Sequence, residues 1–401
     1  MSRLDELIAE LCPDGVEYKT LGECTEKISN IKWKNTTESF KYIDLSSVDR
    51  ETHSIIETNL IDITNAPSRA QQIVKFEDVL FGTTRPLLNR YCIITKDYDN
   101  QICSTGFCVL RSDKSIIDSR WIYHMISSNK FMDYVEKHQC GASYPTISDA
   151  DVKKYKIPVP PLPVQEEIVR ILDNFAELTA ELTAELSKRK QQYQYYRDML
   201  LTFNDIKATS QTDRQTAINS VVWRQIIDIC EISRGKVISK DYIRNSIGDY
   251  PVYSSQTENE GELGRISTYM HDGEYITWTT DGANAGSVFY RFGKFSITNV
   301  CGLLKIIDNN ILTKYVYYSL CRVTKEHVNS GMGNPKLMSN MIAKIKIPVP
   351  PLEEQKRIVA ILDRFDALCN DLTSGLPAEI EARKKQYEYY RDKLLTFKEA
   401  V

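Results

Sequence analysis

The sequence has 401 residues, of which 42% are hydrophobic and 26% are charged. This composition is that of a globular protein with two or three domains, and it excludes collagen-like, disordered and disulfide-stapled chains. No apolar run approaches the roughly 18 residues of a membrane span, and the acidic N-terminus is unlike a secretory signal, so we expect a cytoplasmic protein with no membrane partner. The net charge of -3 argues against indiscriminate coating of nucleic acid but leaves room for a local basic face.

The residue patterns of common enzyme sites are missing. No G-x-x-x-x-G-K-[ST] phosphate loop occurs, and Gly331 and Gly333 lack the third glycine of a dinucleotide fingerprint. The ten cysteines include no C-x-x-C pair, and no two of the five histidines have metal-ligand spacing. We therefore predict no bound metal or cofactor, and we interpret the cysteines as small buried apolar residues.

One short segment resembles a nuclease metal motif. Asp14 follows a proline, and Glu17-x-Lys19 comes shortly after it, which matches an arrangement of two carboxylates that hold magnesium and a lysine that polarises water. In that class of nuclease the two elements lie on separate strands, and the short link between Asp14 and Glu17 cannot provide them. We interpret the Pro13-Asp14-Gly15 segment as an ordinary turn.

The chain contains an internal repeat. Residues 157–175 return at 347–365 with 13 of 19 positions identical, and residues 189–203 return at 383–397 with 12 of 15 identical. Upstream of these blocks a weaker similarity aligns Gly141 and Pro145 with positions 331 and 335. The chain is therefore a duplicated module in which a variable globular part is followed by a proline cluster and a long helix.

This repeat predicts the domain boundaries. We expect a first globular domain at 1–156, a first helical segment at 157–203, a linker and second globular domain at 204–346, and a second helical segment at 347–401. The polar stretch 204–219 has the composition of the linker.

Both long segments have the apolar spacing of a heptad seam. Positions three and four residues apart continue through 172–203, and a second seam runs through 362–397. The four extra residues of the second copy, together with Gly375 and Pro377, predict a local break there. A single such helix would be expected to pack on its own domain, whereas two matching seams favour the helices packing against each other, antiparallel.

The proline clusters at 157–161 and 347–351 precede these helices and are predicted to be stiff, extended lead-ins. Pro160-x-x-Pro163 also matches an SH3-ligand pattern. Its counterpart carries Glu353 in place of the second proline, so we favour the lead-in.

The globular segments mix strand and helix patterns, which predicts an α+β fold with two globular domains in tandem repeat and two long helices between them. Thr20-x-x-Glu23 is a plausible capping box for a first helix. The predicted strands are 40–45, 78–83, 90–95 and 102–111 in the first domain and 275–279, 287–291 and 296–307 in the second, followed by helices at 119–137 and 313–328 respectively.

The repeated blocks resemble those of a known family. The two proline-led blocks, the LTAELTAEL run at 178–186 and the paired YYRD motifs at 195–198 and 389–392 are together similar to the specificity subunit of a type I restriction-modification enzyme, of the type IC kind. The resemblance covers nearly the whole chain.

The resemblance implies that each globular part is a target recognition domain that reads one half of an asymmetric, bipartite site in double-stranded DNA. It implies that the helices form an antiparallel coiled coil and that the chain itself is not catalytic. Two modification subunits would carry S-adenosylmethionine and methylate adenine, while restriction subunits would use ATP and magnesium. The rival interpretation is a structural adaptor with two protein-binding domains, which would show no DNA sequence preference.

The candidate DNA contacts are polar residues in turns that follow strands or precede the proline clusters, where they could bind base edges or phosphates. Lys32, Lys34 and Arg69 are further basic candidates. The predicted DNA-binding residues are Thr83, Thr84, Arg85, Asn89, Arg90, Ser143 and Tyr144 in the first domain and Arg234, Lys236, Thr279, Thr280, Asn284, Asn334 and Lys336 in the second.

Overall fold

The computed structural model of the chain describes residues 2–203, 221–331, 333–371 and 374–400. The chain divides into two units: unit 1 comprises residues 1–183 and 379–401, and unit 2 comprises residues 184–378. This grouping cuts across the predicted helical segments, because each unit includes part of both. The predicted linker at 204–219 lies outside the described residues.

Unit 1 contains two four-stranded sheets, with strand orders β2-β9-β6-β7 and β4-β3-β8-β5, and a two-stranded ribbon of β1 and β10. The strands are β1 (Glu17–Thr20), β2 (Thr25–Glu26), β3 (Phe40–Ile43), β4 (Asn59–Ile61), β5 (Ala70–Ile73), β6 (Val79–Gly82), β7 (Tyr91–Ile93), β8 (Ile102–Ser104), β9 (Phe107–Ser112) and β10 (Lys156–Val159). The helices that begin in this unit are α1 (Arg3–Leu11), α2 (Ser119–Ile126), α3 (Asn129–His138), α4 (Asp149–Lys153) and α5 (Leu162–Leu201), and the last of these continues into unit 2.

Unit 2 contains a six-stranded sheet of order β12-β17-β15-β16-β13-β14 and a ribbon of β11 and β18. The strands are β11 (Val222–Gln225), β12 (Cys230–Arg234), β13 (Tyr250–Tyr253), β14 (Glu262–Ile266), β15 (His271–Thr279), β16 (Val288–Ile297), β17 (Cys301–Ile306) and β18 (Lys346–Val349). The helices are α6 (Ile226–Ile229), α7 (Lys240–Asn245), α8 (Thr313–Val323), α9 (Ser339–Ile342) and α10 (Leu352–Asn370), and the helix α11 (Leu376–Leu394) begins here and ends in unit 1.

The proline lead-ins are strands. β10 pairs antiparallel with β1, placing Pro158 opposite Tyr18, and β18 pairs with β11 in the same way. A proline lacks an N–H group but keeps its carbonyl, and the buried Trp121 indole donates to Pro158 O at 3.0 Å. In unit 2 the Tyr315 hydroxyl donates to Pro348 O at 2.7 Å. The repeated prolines thus anchor an aromatic residue of α2 or α8.

The predicted helix seam is confirmed. Each seam position of α5 from Leu172 to Leu200 is buried or partly buried. In unit 1, Phe175 of α5 stacks on Tyr390 of α11 with ring centroids 5.5 Å apart, and in unit 2, Phe365 of α10 stacks on Tyr196 of α5 at the same distance. Since the two aromatic pairs are counterparts in the repeat, each unit holds the same contact between α5 and the second helical segment, as an antiparallel coiled coil requires.

The second helical segment has a break where Gly375 and Pro377 predict one. α10 ends at Asn370, and α11 begins at Leu376 with the proline as its second residue. A proline is tolerated in the first turn, because the N–H that it lacks has no partner within the helix there.

Several predicted element bounds are wrong for local reasons. Thr20 and Glu23 make the hydrogen bonds of a capping box, at 2.7 and 3.3 Å, but they close a turn after β1, while the first helix is α1, capped by Ser2. The predicted helix at 119–137 is split into α2 and α3, because the Ser128 hydroxyl accepts the N–H of Phe131 and starts a new helix. The predicted strand 102–111 is split into β8 and β9.

Candidate nucleic-acid interface

Two groups of predicted DNA contacts come together in unit 1. The turn after β6, residues 82–85, lies beside residues 140–147, and we call these two segments platform 1. Thr83 is buried; its N–H donates to Gly106 O at 2.8 Å, and its own carbonyl accepts the N–H of Ile147 at 3.0 Å. The N–H of Arg85 donates to Pro145 O at 2.7 Å. Backbone hydrogen bonds therefore fix the position of side chains that are about 60 residues apart in sequence.

The exposed surface of platform 1 carries a cation over an aromatic ring. The Arg85 guanidinium lies 4.0 Å from the ring centroid of Tyr144, and both side chains are exposed. Ser143 beside them is exposed as well, whereas Thr84 is partly buried and its backbone pairs with Thr146. The arrangement offers planar and hydroxyl donors to solvent on a rigid backbone.

The remaining candidates near platform 1 differ in exposure. Asn89 is exposed and has a left-handed backbone with φ of 54°. Arg90 is partly buried, its guanidinium donates to Leu45 O, and burial lowers its pKa. Arg90 thus ties the start of β7 to the segment after β3, and at least one of its donors is already used. Lys32, Lys34 and Arg69 are exposed.

Unit 2 repeats the same backbone pattern in residues 279–282 with 329–331 and 333–337, which we call platform 2. Thr280 is buried; its N–H donates to Val300 O at 3.1 Å, and its carbonyl accepts the N–H of Leu337 at 2.9 Å. The N–H of Gly282 donates to Pro335 O at 3.0 Å. Thr83 and Thr280 are therefore equivalent, as are the two residues that bind the proline carbonyls.

The charges on platform 2 differ from those on platform 1. Arg234 donates to Thr280 Oγ1 and to Asn299 O, each at 2.9 Å, and lies 3.6 Å from the Asp281 carboxylate. Lys336 lies 3.9 Å from the same carboxylate. Two cations thus flank one half-exposed carboxylate, which could accept from a base amino group while its neighbours bind acceptors.

The other candidates of unit 2 are not all presented to solvent. Thr279 is buried and its hydroxyl has no hydrogen-bond partner among the described atoms. Asn284 is partly buried, and its carbonyl accepts the N–H of Ser287 at 3.1 Å. Asn334 and Lys236 are exposed, and the backbone of the latter pairs with Thr298.

Sequence reasoning missed Asp281 as a site residue, although it lies between two of the predicted cations. It also missed the left-handed backbone of Arg85, with φ of 49°. The internal alignment holds a signal for this conformation, because Gly282 occupies the equivalent position and has φ of 93°.

The acid and the lysine of the nuclease-like segment form an ion pair. Glu17 lies on β1 and its carboxylate is 3.2 Å from the Lys19 ammonium, so the lysine pairs with the acid beside it. Within residues 2–203, 221–331, 333–371 and 374–400 there is no cluster of three or more His, Cys, Asp or Glu side chains that could hold a metal ion. In the same described part of the chain, no helix is both long and apolar enough to span a membrane.

Comparison with known proteins agrees with the duplication of the chain. The family model for the type I restriction modification DNA specificity domain matches residues 13–189 and 220–382. A putative type I specificity subunit of Mycoplasma pneumoniae is 48% identical over 231 residues, which cover 58% of this chain and 89% of that protein. The Escherichia coli type I restriction enzyme EcoR124I/EcoR124II specificity subunit is 30% identical over 433 residues, covering 99% of this chain and 97% of that protein.

A solved structure shows the same fold. A chain from a type I restriction-modification system aligns with a TM-score of 0.63 at 24% identity and covers 96% of this chain and 98% of that chain. The family model spans both units, and the full-length relative matches almost from end to end. The chain therefore belongs to the family of DNA sequence-specificity subunits of type I restriction-modification systems.

Proposed function

We propose that this chain reads an asymmetric, bipartite DNA site, with one half-site bound by platform 1 and the other by platform 2. The observation that carries the proposal is the pairing of an identical backbone scaffold with different side chains. Arg85 and Tyr144 lie on platform 1, whereas Asp281 and Lys336 lie on platform 2 with Arg234 beside them. Two platforms that share backbone hydrogen bonds but carry different side-chain donors and acceptors suit two different base sequences.

The predicted DNA-binding residues divide by exposure into two roles. Exposed side chains such as Arg85, Tyr144, Asn334 and Lys336 are proposed to contact bases or phosphates. The buried Thr83 is proposed to hold platform 1 in shape instead, since its hydroxyl already donates to Gly106 O.

The chain is proposed to act without catalysis of its own. In this proposal two modification subunits bind S-adenosylmethionine and methylate adenine within the site, and restriction subunits use ATP and magnesium. The helix contacts support two copies of one partner, because Phe175 with Tyr390 and Phe365 with Tyr196 give unit 1 and unit 2 the same helix packing.

The proposal is tested by mapping methylated adenines across a genome that carries the modification subunits, with and without this chain. The expected result is one motif that depends on the chain, with two specified ends and an unspecified middle. Methylation that shows no dependence on the chain, or complexes that bind all DNA equally, would contradict the proposal and favour the structural adaptor.

A further inference from the structure

Arg85 and Gly282 occupy the same backbone position in the two platforms. Each donates its N–H to a proline carbonyl, Pro145 O at 2.7 Å and Pro335 O at 3.0 Å. Both have positive φ, 49° for the arginine and 93° for the glycine. The platform therefore requires a left-handed residue at this point, whichever side chain it carries.

Unit 1 meets this requirement with an unfavourable residue. Glycine adopts positive φ without a steric penalty, whereas the Cβ of an arginine crowds the following carbonyl oxygen. A Cβ added at Gly282 would meet no atom within 4 Å, so the position faces open space. Strained backbone at a residue other than glycine often accompanies a functional side chain. The strained backbone at Arg85 therefore indicates a function for its guanidinium.

The Arg85 guanidinium lies over an aromatic ring, and its hydrogen-bond donors stay available to a ligand. It lies over the Tyr144 ring, 4.0 Å from the ring centroid, although that ring is 66% exposed and adds little to a core. This contact holds the group over the ring while leaving its N–H donors free. Among the ion pairs of the described residues, none involves Arg85, whereas Arg234 beside platform 2 is bound to Thr280 and Asn299.

We propose that Arg85 is a specificity-determining residue that reads a guanine in the half-site of unit 1, with Tyr144 as its positioning residue; this rests on the proposed function. A planar guanidinium donates two parallel hydrogen bonds to guanine O6 and N7 in the major groove, and no other base offers that pair of acceptors. Platform 2 has Gly282 and Asn334 at the equivalent positions, so it has no guanidinium over an aromatic ring at this point.

The experiment is methylome sequencing of cells that contain the modification subunits and variants of the full chain. Arg85→Lys keeps the charge but loses the planar fork, so it is expected to relax one G·C position of one half-site by about 5- to 150-fold in discrimination. Arg85→Gly is expected to relax the same position without lowering the melting temperature, because Gly282 shows that glycine fits this backbone.

Tyr144 variants test the positioning role. Tyr144→Ala is expected to relax the same G·C position, and Tyr144→Phe, which keeps the ring, is expected to retain it. The matched control is Lys96→Ala, because Lys96 is an exposed cation that lies over the Phe76 ring at 5.6 Å but is not on the platform. This control should leave the motif unchanged.

The outcomes separate this inference from the proposed function. A wild-type motif that depends on the chain but stays unchanged in Arg85→Lys and Arg85→Gly would overturn the guanine assignment alone. Uniform weakening on all DNA in Arg85→Gly, with the motif intact in Arg85→Lys, would mark a phosphate contact and also overturn it. If no wild-type motif depends on the chain, the proposed function itself fails.

Discussion

Gln165 accepts the backbone N–H of Asp118 at 2.9 Å through its side-chain oxygen. Its amide NH₂ group donates to Ile116 O at 2.9 Å and Pro160 O at 2.7 Å, and the side chain is fully buried. Gln355 makes the same three bonds in unit 2, to Leu312 N, Asn310 O and Pro350 O, at 2.9 to 3.0 Å. One glutamine in each repeat thus joins a globular domain to the start of its long helix.

Gln165→Leu should lower the free energy of unfolding by about 1–3 kcal/mol, because it leaves buried backbone groups without partners. The measurement is urea unfolding of the full chain. Gln191→Leu is the control, since Gln191 lies exposed on the same helix and should cost nothing measurable. Equal losses in the two variants would show that the glutamine does not join the domain to the helix.

Stability should fall with acid partly because of His53. This side chain stacks on the Tyr91 ring at 3.8 Å, and burial lowers its pKa to about 4, against an opposing effect of Asp49. The folded state therefore keeps His53 neutral, while the unfolded chain takes up a proton below the ordinary histidine pKa of about 6.5. The contribution of neutral His53 to the free energy of unfolding is fully present above about pH 6.5 and is lost as the pH falls toward 4.

His53→Gln should flatten the dependence of unfolding free energy on pH between about 6.5 and 4. Urea unfolding at a series of pH values measures it. The exposed His327 gives the matched control, and His327→Gln should leave the slope as in the wild type. A wild-type slope in His53→Gln would contradict the assignment.

Purified alone, the chain should neither methylate nor cleave DNA and should not hydrolyse ATP. Glu17 and Lys19 pair with each other on β1, so we expect Glu17→Ala to change no activity of the chain or of its complexes. Nuclease and ATPase assays with added magnesium test this. Turnover by the lone chain that disappears in Glu17→Ala would show that the nuclease-like segment is catalytic.

The repeat made much of the architecture predictable. The two similar blocks predict equivalent helix contacts, because Phe175 and Phe365 occupy the same position in the repeat. Each of them stacks on a tyrosine of the other repeat. The turn at 82–85 could also be aligned with 279–282 from sequence, and the backbone hydrogen bonds of Thr83 and Thr280 match that alignment.

Local details were less predictable where one motif fits two structures. A Thr20-to-Glu23 capping box closes a turn as well as it starts a helix, and the chain after Glu23 forms the short strand β2 instead. The stacking of Arg85 on Tyr144 joins residues 59 positions apart, and no periodic pattern reports such a contact. Whether a candidate residue can contact a base likewise depends on its exposure. Arg85 is exposed and Arg90 is partly buried, and only the three-dimensional structure shows this difference.

A change in helix length tests the link between the two half-sites. The tandem repeat Thr179-Ala180-Glu181-Leu182 and Thr183-Ala184-Glu185-Leu186 lies in α5, across the point where the helix passes from unit 1 to unit 2. One more copy lengthens a helix by about 6 Å and rotates the downstream residues by roughly 40° beyond a full turn, with the apolar seam nearly in phase. A DNA base pair adds about 3.4 Å and roughly 34–36°.

The most direct measurement is therefore methylome sequencing of the four-residue insertion beside the wild type. If two recognition domains on one coiled coil read the site, both half-sites should be kept and the unspecified spacer should lengthen by one or two base pairs. Deletion of one copy should shorten it. An unchanged spacer at full activity would contradict the role of the helices, and altered half-sites would contradict the assignment of one platform to each half-site.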